Sequence, residues 1–244
     1  MNIQHLERTQ TNFRSIFDTL DVAWPNQHYY RMDVPNASQI FSNSIDEGIT
    51  IIDLRSHNEV DKQPYKVSET NVDYLHLPIY GETERMGNTP ELLMKFNSMG
   101  EMYVYMTEHF SDNIANVIRH ILLNKNDQII FHCSAGKDRT GIVAMLLLEI
   151  LDAPRDVIIE SYILSETNRQ EIHEQIKEEA KINGQIIPDY IFQTRSSDIQ
   201  QLYNYLEDNY GSIKNYLRAH GIQDEWMDDF NSYVKGDFDG TNSY

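Results

Sequence analysis

His132-Cys133-Ser134-Ala135-Gly136-Lys137-Asp138-Arg139-Thr140-Gly141 is the stretch that decides how this chain reads. Just before it, Gln128 to His132 has the character of a short buried strand. Just after it, a helix from about Arg139 to Leu151 is apolar almost all round, with Ile142, Val143, Met145, Leu146, Leu147, Leu148 and Ile150. A helix without a polar face belongs in the middle of a protein. Between strand and helix lies a loop of small residues. Such a loop lets successive backbone N–H groups converge into a nest for an anion. The helix that follows adds the positive end of its dipole. Lys137 and Arg139 add full charges, and the Arg139 fork suits a phosphoryl group. A thiol at the floor of such a nest ionises more readily than free cysteine and becomes a nucleophile. Cys133, aimed at phosphorus, predicts a phosphocysteine intermediate, with Ser134, Ala135, Gly136, Lys137, Asp138 and Arg139 cradling the phosphate. The bland alternative is a small buried hydrophobe. The surrounding His, Gly, Lys, Asp, Thr and Gly all stand where an anion-cradling loop needs them, which favours the nucleophile.

Outward from the loop, strands alternate with helices, which predicts an α/β domain with a central sheet and a helical C-terminal portion. Thr50 to Leu54 reads as a short buried strand, and Val72 to Leu77 as another ending at Pro78. Ile40, Phe41 and Ile45 predict a helix over Asn36–Glu47, ended by Gly48. Ile114, Val117, Ile118, Ile121 and Leu122 share one helix face, with Asp112 as its N-cap. Asp152 and Pro154 open the next helix. Arg169–Lys181 has only Ile172, Ile176 and Ala180 as apolar positions, the mark of a weakly docked helix. Ile199, Leu202, Tyr203 and Leu206 predict a further helix, and Ser212 to Ala219 another, closed by Gly221. The polar stretch 236–244 reads as a flexible tail. The expectation is one domain over 1–244.

The chain has 244 residues, enough for one sizeable core, with 40% hydrophobic and 24% charged residues. That mix excludes wholesale disorder and a coiled coil. The longest nearly unbroken apolar run, Gly141 to Leu151, carries Glu149 and is too short to span a bilayer, so stable membrane insertion is not expected. A formal charge of −18 argues against nucleic acid as a partner. A phosphorylated substrate must therefore be drawn by a local positive site. The single cysteine cannot form an internal disulfide and suits a reducing compartment. No Sec-type signal is visible, so the expected location is cytoplasmic, or secreted by another route. No dinucleotide, P-loop ATPase or HExxH motif occurs, and no metal or other cofactor is implied.

The run around Cys133 resembles the signature loop of cysteine-dependent phosphatases. Its HCxxGKDRTG form is similar to that of a bacterial tyrosine/serine phosphatase family. Asp53-Leu54-Arg55-Ser56 with Glu59 resembles a second hallmark of that family. Asn12-Phe13-Arg14, Tyr30-Arg31, Tyr105-Met106-Thr107, Asp156-Val157-Ile158 and Tyr210-Gly211-Ser212 with Tyr216-Leu217 match further blocks. Ser15-Ile16-Phe17-Asp18 departs from the family's usual Asp-Leu-Gly-Gly and leaves the N-terminal loop's shape open. The resemblance implies a cysteine-phosphatase-like fold and hydrolysis of phosphotyrosine, with phosphoserine, phosphothreonine or phosphoinositides as further substrates. A catalytically silent phosphate-binding module is the competing class, and intact Cys133 and Arg139 argue against it.

Roles follow from the resemblance and the chemistry together. Arg139 binds the phosphoryl oxygens and stabilises the transition state. The leaving group needs a proton, and the resembled family is thought to supply it from the loop Asp, which is Asp138 in this chain. Charge at a helix N-terminus is the alternative role for Asp138, and Glu82 the alternative acid. Trp24-Pro25-Asn26 only mimics a Trp-Pro-Asp loop, since Asn carries no such proton. Thr140 donates to the thiolate or simply starts the helix. His132 supports the loop or is a satisfied core histidine. Lys137 reads a multiply phosphorylated head group or sits solvated at the loop rim. Arg55 reaches the site or pairs with Glu59 to brace the loop, a role shared by Asp53. Asn168 to Tyr190 matches the position of a helical lid in a member of that family, or is an ordinary surface helix.

Overall fold

The computed structural model describes residues 12–35, 48–67, 72–80, 94–124, 128–167, 174, 177–178, 181–182 and 187–237. Five strands form one sheet: β1 (Arg14–Ser15), β2 (Tyr29–Met32), β3 (Ile49–Asp53), β4 (Val72–His76) and β5 (Gln128–His132). The spatial order is β1-β2-β5-β3-β4. β1 pairs antiparallel with β2, and every other pairing is parallel. The helices with described bounds are α1 (His57–Lys62), α2 (Met99–His109), α3 (Ser111–Leu123), α4 (Asp138–Ile150), α5 (Arg155–Thr167), α6 (Ser196–Tyr210), α7 (Ile213–Ala219) and α8 (Asp224–Lys235), with a 3-10 turn at Asp189–Ile191. The α/β expectation holds.

β5 is the central strand, flanked by β2 and β3. Its side chains alternate between two cores. Ile129, Phe131 and Cys133 face the large helical core, while Ile130 faces a smaller cluster with Met32, Ile49, Ile51 and Val72. α4 leaves the carboxyl end of β5 and is buried at every position but Glu149. It packs against α3, α5 and α7 and against β2 and β5. Its lack of a polar face is thus explained by neighbours on all sides. The carboxyl ends of parallel strands are where open α/β sheets place ligands, and the loop 133–137 occupies that end.

Several expected boundaries shift. The β4 strand ends at His76, the last of its residues paired with β3, opposite Asp53. The α3 helix begins at Ser111 with Phe110 as N-cap, so Asp112 lies in the first turn. Asp152 does not open α5. With φ at 56° it closes α4, held by Lys214 Nζ at 2.6 Å. Pro154 stands before α5, and its carbonyl takes the Ile158 N–H at 3.1 Å. β2, α2 and α8 formed no part of the expectation. Ser212, expected as the first residue of a helix, instead caps α7, its hydroxyl accepting from the Asn215 N–H at 3.1 Å. The expected helix at Asn36–Glu47 lies outside the described residues, as does the tail beyond Asp237. Of 168–190, the described positions 174, 177, 178, 181 and 182 are helical, while Ile172, Ile176 and Ala180 lie outside the described residues.

Leu146 is fully buried in the middle of α4. Leu146→Ala should cost about 2–5 kcal/mol, read as a lower urea midpoint with an unchanged slope.

Candidate active site

The loop after β5 is held from behind by its carbonyls. The His132 carbonyl accepts from Leu54 N–H at 2.8 Å, and the Ser134 carbonyl from Val34 N–H at 3.1 Å. The His132 ring donates from Nδ1 to the Cys133 carbonyl at 2.9 Å. Asn12 Nδ2 donates to the carbonyls of Ala135 at 3.2 Å and Gly136 at 3.0 Å. Arg31 donates to the carbonyls of Gly136 at 2.7 Å and Lys137 at 3.3 Å. The described peptide bonds are trans. In a trans peptide the N–H points opposite to the C=O. Carbonyls drawn outward from 133 to 137 therefore turn the N–H groups of 134 to 138 toward the concave side. That is the arrangement an anion nest requires.

Gly136 is required twice. Its φ of +63° is left-handed, and a Cβ there would meet the Met32 carbonyl oxygen at 2.4 Å.

Glu59 organises the front of the site. Its carboxylate accepts the backbone N–H and the hydroxyl of Ser56, each at 3.0 Å, which starts α1. The same carboxylate takes Arg139 Nη1 at 2.6 Å and Nη2 at 2.7 Å, and Ser134 Oγ at 2.6 Å. Arg139 is oriented bidentately and also lies over the Tyr80 ring at 5.4 Å. A guanidinium has five N–H donors. Nε has no hydrogen bond among the described residues, and the Glu59 fork uses one N–H on each Nη. The Arg139 charge holds the Glu59 carboxyl well below the usual carboxylate range against the opposing effect of burial.

Arg55 does not pair with Glu59. It forks onto Asp53, Nε at 3.0 Å and Nη2 at 2.7 Å, and reaches the Gln63 carbonyl at 2.9 Å. Asp53 also accepts from Tyr74 Oη at 3.0 Å and lies 3.7 Å from His132 Nε2. Asp53 and Arg55 thus brace the strand ends beneath the loop, and Arg55 is spent there. Although burial opposes it, neighbouring His132 and Arg55 draw Asp53 down to about 2. His132 is fully buried, and burial lowers its pKa. Its Nδ1–H is fixed by a carbonyl that can only accept, and Nε2 lies 2.6 Å from the Tyr65 hydroxyl. His132 thus links the Cys133 carbonyl to Tyr65.

Lys137 is not solvated at a rim. Its side chain is 2% exposed, and Nζ donates to the carbonyls of Ile191 at 2.7 Å and Gln193 at 3.1 Å. Asp138 stands in the first turn of α4, where Oδ1 accepts the Tyr103 hydroxyl at 2.6 Å, itself 2.6 Å from the Tyr162 hydroxyl. Thr140 Oγ1 is buried and makes no hydrogen bond among the described residues. The expected bond to the Cys133 thiol is therefore not formed, and the hydroxyl is unspent. Asn26 of the Trp-Pro-Asn segment donates to the Tyr233 carbonyl at 2.8 Å, docking that segment on α8. Glu82 lies outside the described residues.

Residues 48–234 match the model of the tyrosine phosphatase family, well over half of the chain. The chain belongs to the tyrosine phosphatase family. A tyrosine-protein phosphatase of Nostoc commune is 34% identical over 116 residues, 47% of this chain and 39% of that protein. A triple specificity protein phosphatase, PtpB, of Mycobacterium tuberculosis is 26% identical over 252 aligned positions, 86% of this chain and 91% of that protein. The chain thus spans well under half of the first relative and nearly all of the second. Both relatives are bacterial.

The roles of Asn12, Arg31, Tyr103 and the Glu59–Arg139 pair were not assigned from sequence. The Ser56-x-x-Glu59 spacing is a capping-box signal that marks the start of α1. Nothing in the sequence alone says that its carboxylate turns to Arg139.

Glu59→Gln should leave Arg139 buried without its carboxylate, destabilise by about 2 kcal/mol, and weaken phosphate binding, read by thermal shift with and without inorganic phosphate. Acid should act in the same direction. The folded pKa values of Glu59, Asp53 and His132 all lie below their unfolded ones. Their stabilisation is therefore present above the unfolded values and lost as pH falls. Unfolding temperature should decline first below about 6.5 through His132, then more steeply below about 4.5 through the two carboxylates.

Proposed function

We propose that the protein is a metal-independent, cysteine-dependent phosphatase that hydrolyses phosphotyrosine through a phosphocysteine intermediate. The observation that carries this is the ring of outward-tied carbonyls around Cys133, with Arg139 presented by Glu59 at its edge. The phosphoryl oxygens receive the loop N–H groups and the remaining Arg139 donors. Sγ of Cys133 attacks phosphorus as the ester P–O bond breaks, and the leaving oxygen takes a proton from Asp138. Water then attacks phosphorus and the P–S bond breaks. Its proton passes to the Asp138 carboxylate, and phosphate and thiolate are released. The buried Tyr103 hydroxyl on Oδ1 fixes the Asp138 carboxyl and leaves Oδ2 for that proton. The unspent Thr140 hydroxyl is available to the thiolate as it leaves.

Substrate choice follows from Lys137. A multiply phosphorylated inositol head group would need its ammonium, and that ammonium is committed to two carbonyls. This favours a phosphotyrosine side chain, with phosphoserine and phosphothreonine behind it.

Phosphate release in EDTA from phosphotyrosine, phosphoserine and phosphothreonine peptides and from phosphorylated inositol lipids tests the reading. Phosphotyrosine should be fastest. A faster rate on the lipids overturns the substrate assignment, and silence across the panel with phosphate still bound overturns the enzyme. Cys133→Ser should reduce turnover to background while retaining phosphate. Asp138→Asn should slow phosphotyrosine by roughly 10²–10⁴-fold and nitrophenyl phosphate, whose leaving group needs little help, much less. An equal loss on both substrates moves the acid elsewhere.

A further inference from the structure

The cations at the site divide into two groups. Arg139 has Glu59, and Arg55 has Asp53. Lys137 has Asp138 at 3.5 Å. Arg14 and Arg31 have no such partner among the described residues. They stand opposite each other in register on β1 and β2, with exposures of 6% and 1%. Arg14 donates to the Ser161 carbonyl at 3.0 Å, Ser165 Oγ at 2.9 Å, and the carbonyl and side-chain oxygens of Asn12. Arg31 donates to the carbonyls of Gly136 and Lys137 and to Ser165 Oγ at 3.2 Å. Each of these acceptors is neutral, and Nε of both side chains is buried without a hydrogen bond among the described residues. Asp18 acts on Arg14, and Asp138, Tyr103, Tyr162 and Cys133 on Arg31, but through space and not as ion pairs.

Two like charges that share the Ser165 hydroxyl in a dry interior are costly unless something negative compensates them. Arg31 also grips the oxygen ends of the two peptides whose N–H ends belong to Lys137 and Asp138. A cation on the oxygen side polarises the peptide and strengthens the N–H on the other. Charge placed behind the loop is thus relayed through it to its concave face.

We propose that Arg31 and Arg14 are positioning residues that supply the uncompensated positive charge of the anion site, and that their counter-ion is the bound phosphate dianion. This rests on the phosphatase reading for its substrate and adds two residues behind the loop to the machinery that reading names. Arg139 aims the phosphoryl group, and the buried pair sets how much negative charge the site accepts.

The single cysteine gives a clean test, because alkylation reports Cys133 alone. Rates of inactivation by anionic iodoacetate and neutral iodoacetamide are compared in wild type, Arg31→Lys, Arg31→Gln and Arg14→Gln, with inorganic phosphate as protector. The iodoacetate-to-iodoacetamide ratio in wild type should exceed that of glutathione. It should fall about tenfold or more in each Gln variant, with phosphate protection weakened in parallel, and be largely kept in Arg31→Lys. A merely structural role would change both reagents together. An unchanged ratio in the Gln variants overturns the proposal. Should Arg31→Gln fail to fold, Arg14→Gln and the wild-type ratio decide, and a wild-type ratio no higher than that of glutathione overturns it as well. Turnover is not read, so the phosphatase assignment stands or falls separately. Wild-type hydrolysis beside unchanged ratios sinks this inference alone, and shifted ratios beside no hydrolysis sink only the enzyme.

Discussion

Six carbonyls, those of residues 132 to 137, hold the rest of the site in place. An isolated loop of small residues has no reason to point its amides one way. In this fold the donors that fix it come from both flanks of the central strand. Leu54 follows β3, Val34 follows β2, and Asn12 and Arg31 reach in from the β1–β2 edge. The parallel order β2-β5-β3 is what brings those donors to the same end of the sheet. The fold serves the chemistry chiefly as a frame for pulling a peptide chain backwards.

Compensated charge makes up the second layer. Glu59 is at once the helix-starting acceptor for Ser56, the seat of Arg139 and the partner of Ser134 Oγ. One carboxylate with several charge-assisted bonds loses little freedom per bond and leaves its guanidinium a single orientation. Asp53 plays the same part for Arg55 and the Tyr74 hydroxyl. Asp138 is fixed by Tyr103, which is 90° to Tyr162 in an edge contact and in hydroxyl contact with it as well. Around the loop, these three acidic side chains are all committed to donors.

The sequence made the central part of this legible. A five-residue strand, a small-residue loop and an all-apolar helix leave few arrangements, and the Cys133–Arg139 spacing names the chemistry that fits between them. The amphipathic helices α3 and α6 were equally readable from their single faces. β2 was not, because Tyr29 to Met32 is short and its Tyr30 and Arg31 carry polar groups that look like surface. Arg31 is buried only because its partners are carbonyls more than a hundred residues away, and no local pattern encodes that. Lys137 misled for the same reason. A lysine beside an anion loop looks like a ligand, and the Ile191 and Gln193 carbonyls that claim it come from a distant segment. Asp152 looked like a cap because aspartate commonly is one. Its left-handed φ at the end of α4 is the other conformation aspartate tolerates.

The contacts that shape the loop are also among the longest in sequence. Asn12 reaches Gly136 across 124 residues, and Arg14 reaches Ser165 across 151. Closing spans of that length costs chain entropy before any local reward arrives, and topologies dominated by such contacts fold slowly. On a growing polypeptide the strand and the helix around Cys133 are complete while Ser165 has yet to be made. Cys133 therefore precedes the contacts behind its loop during synthesis. Those contacts form only when Arg14 and Ser165 have met, so a product that stops short of Ser165 carries the motif without the framework behind it.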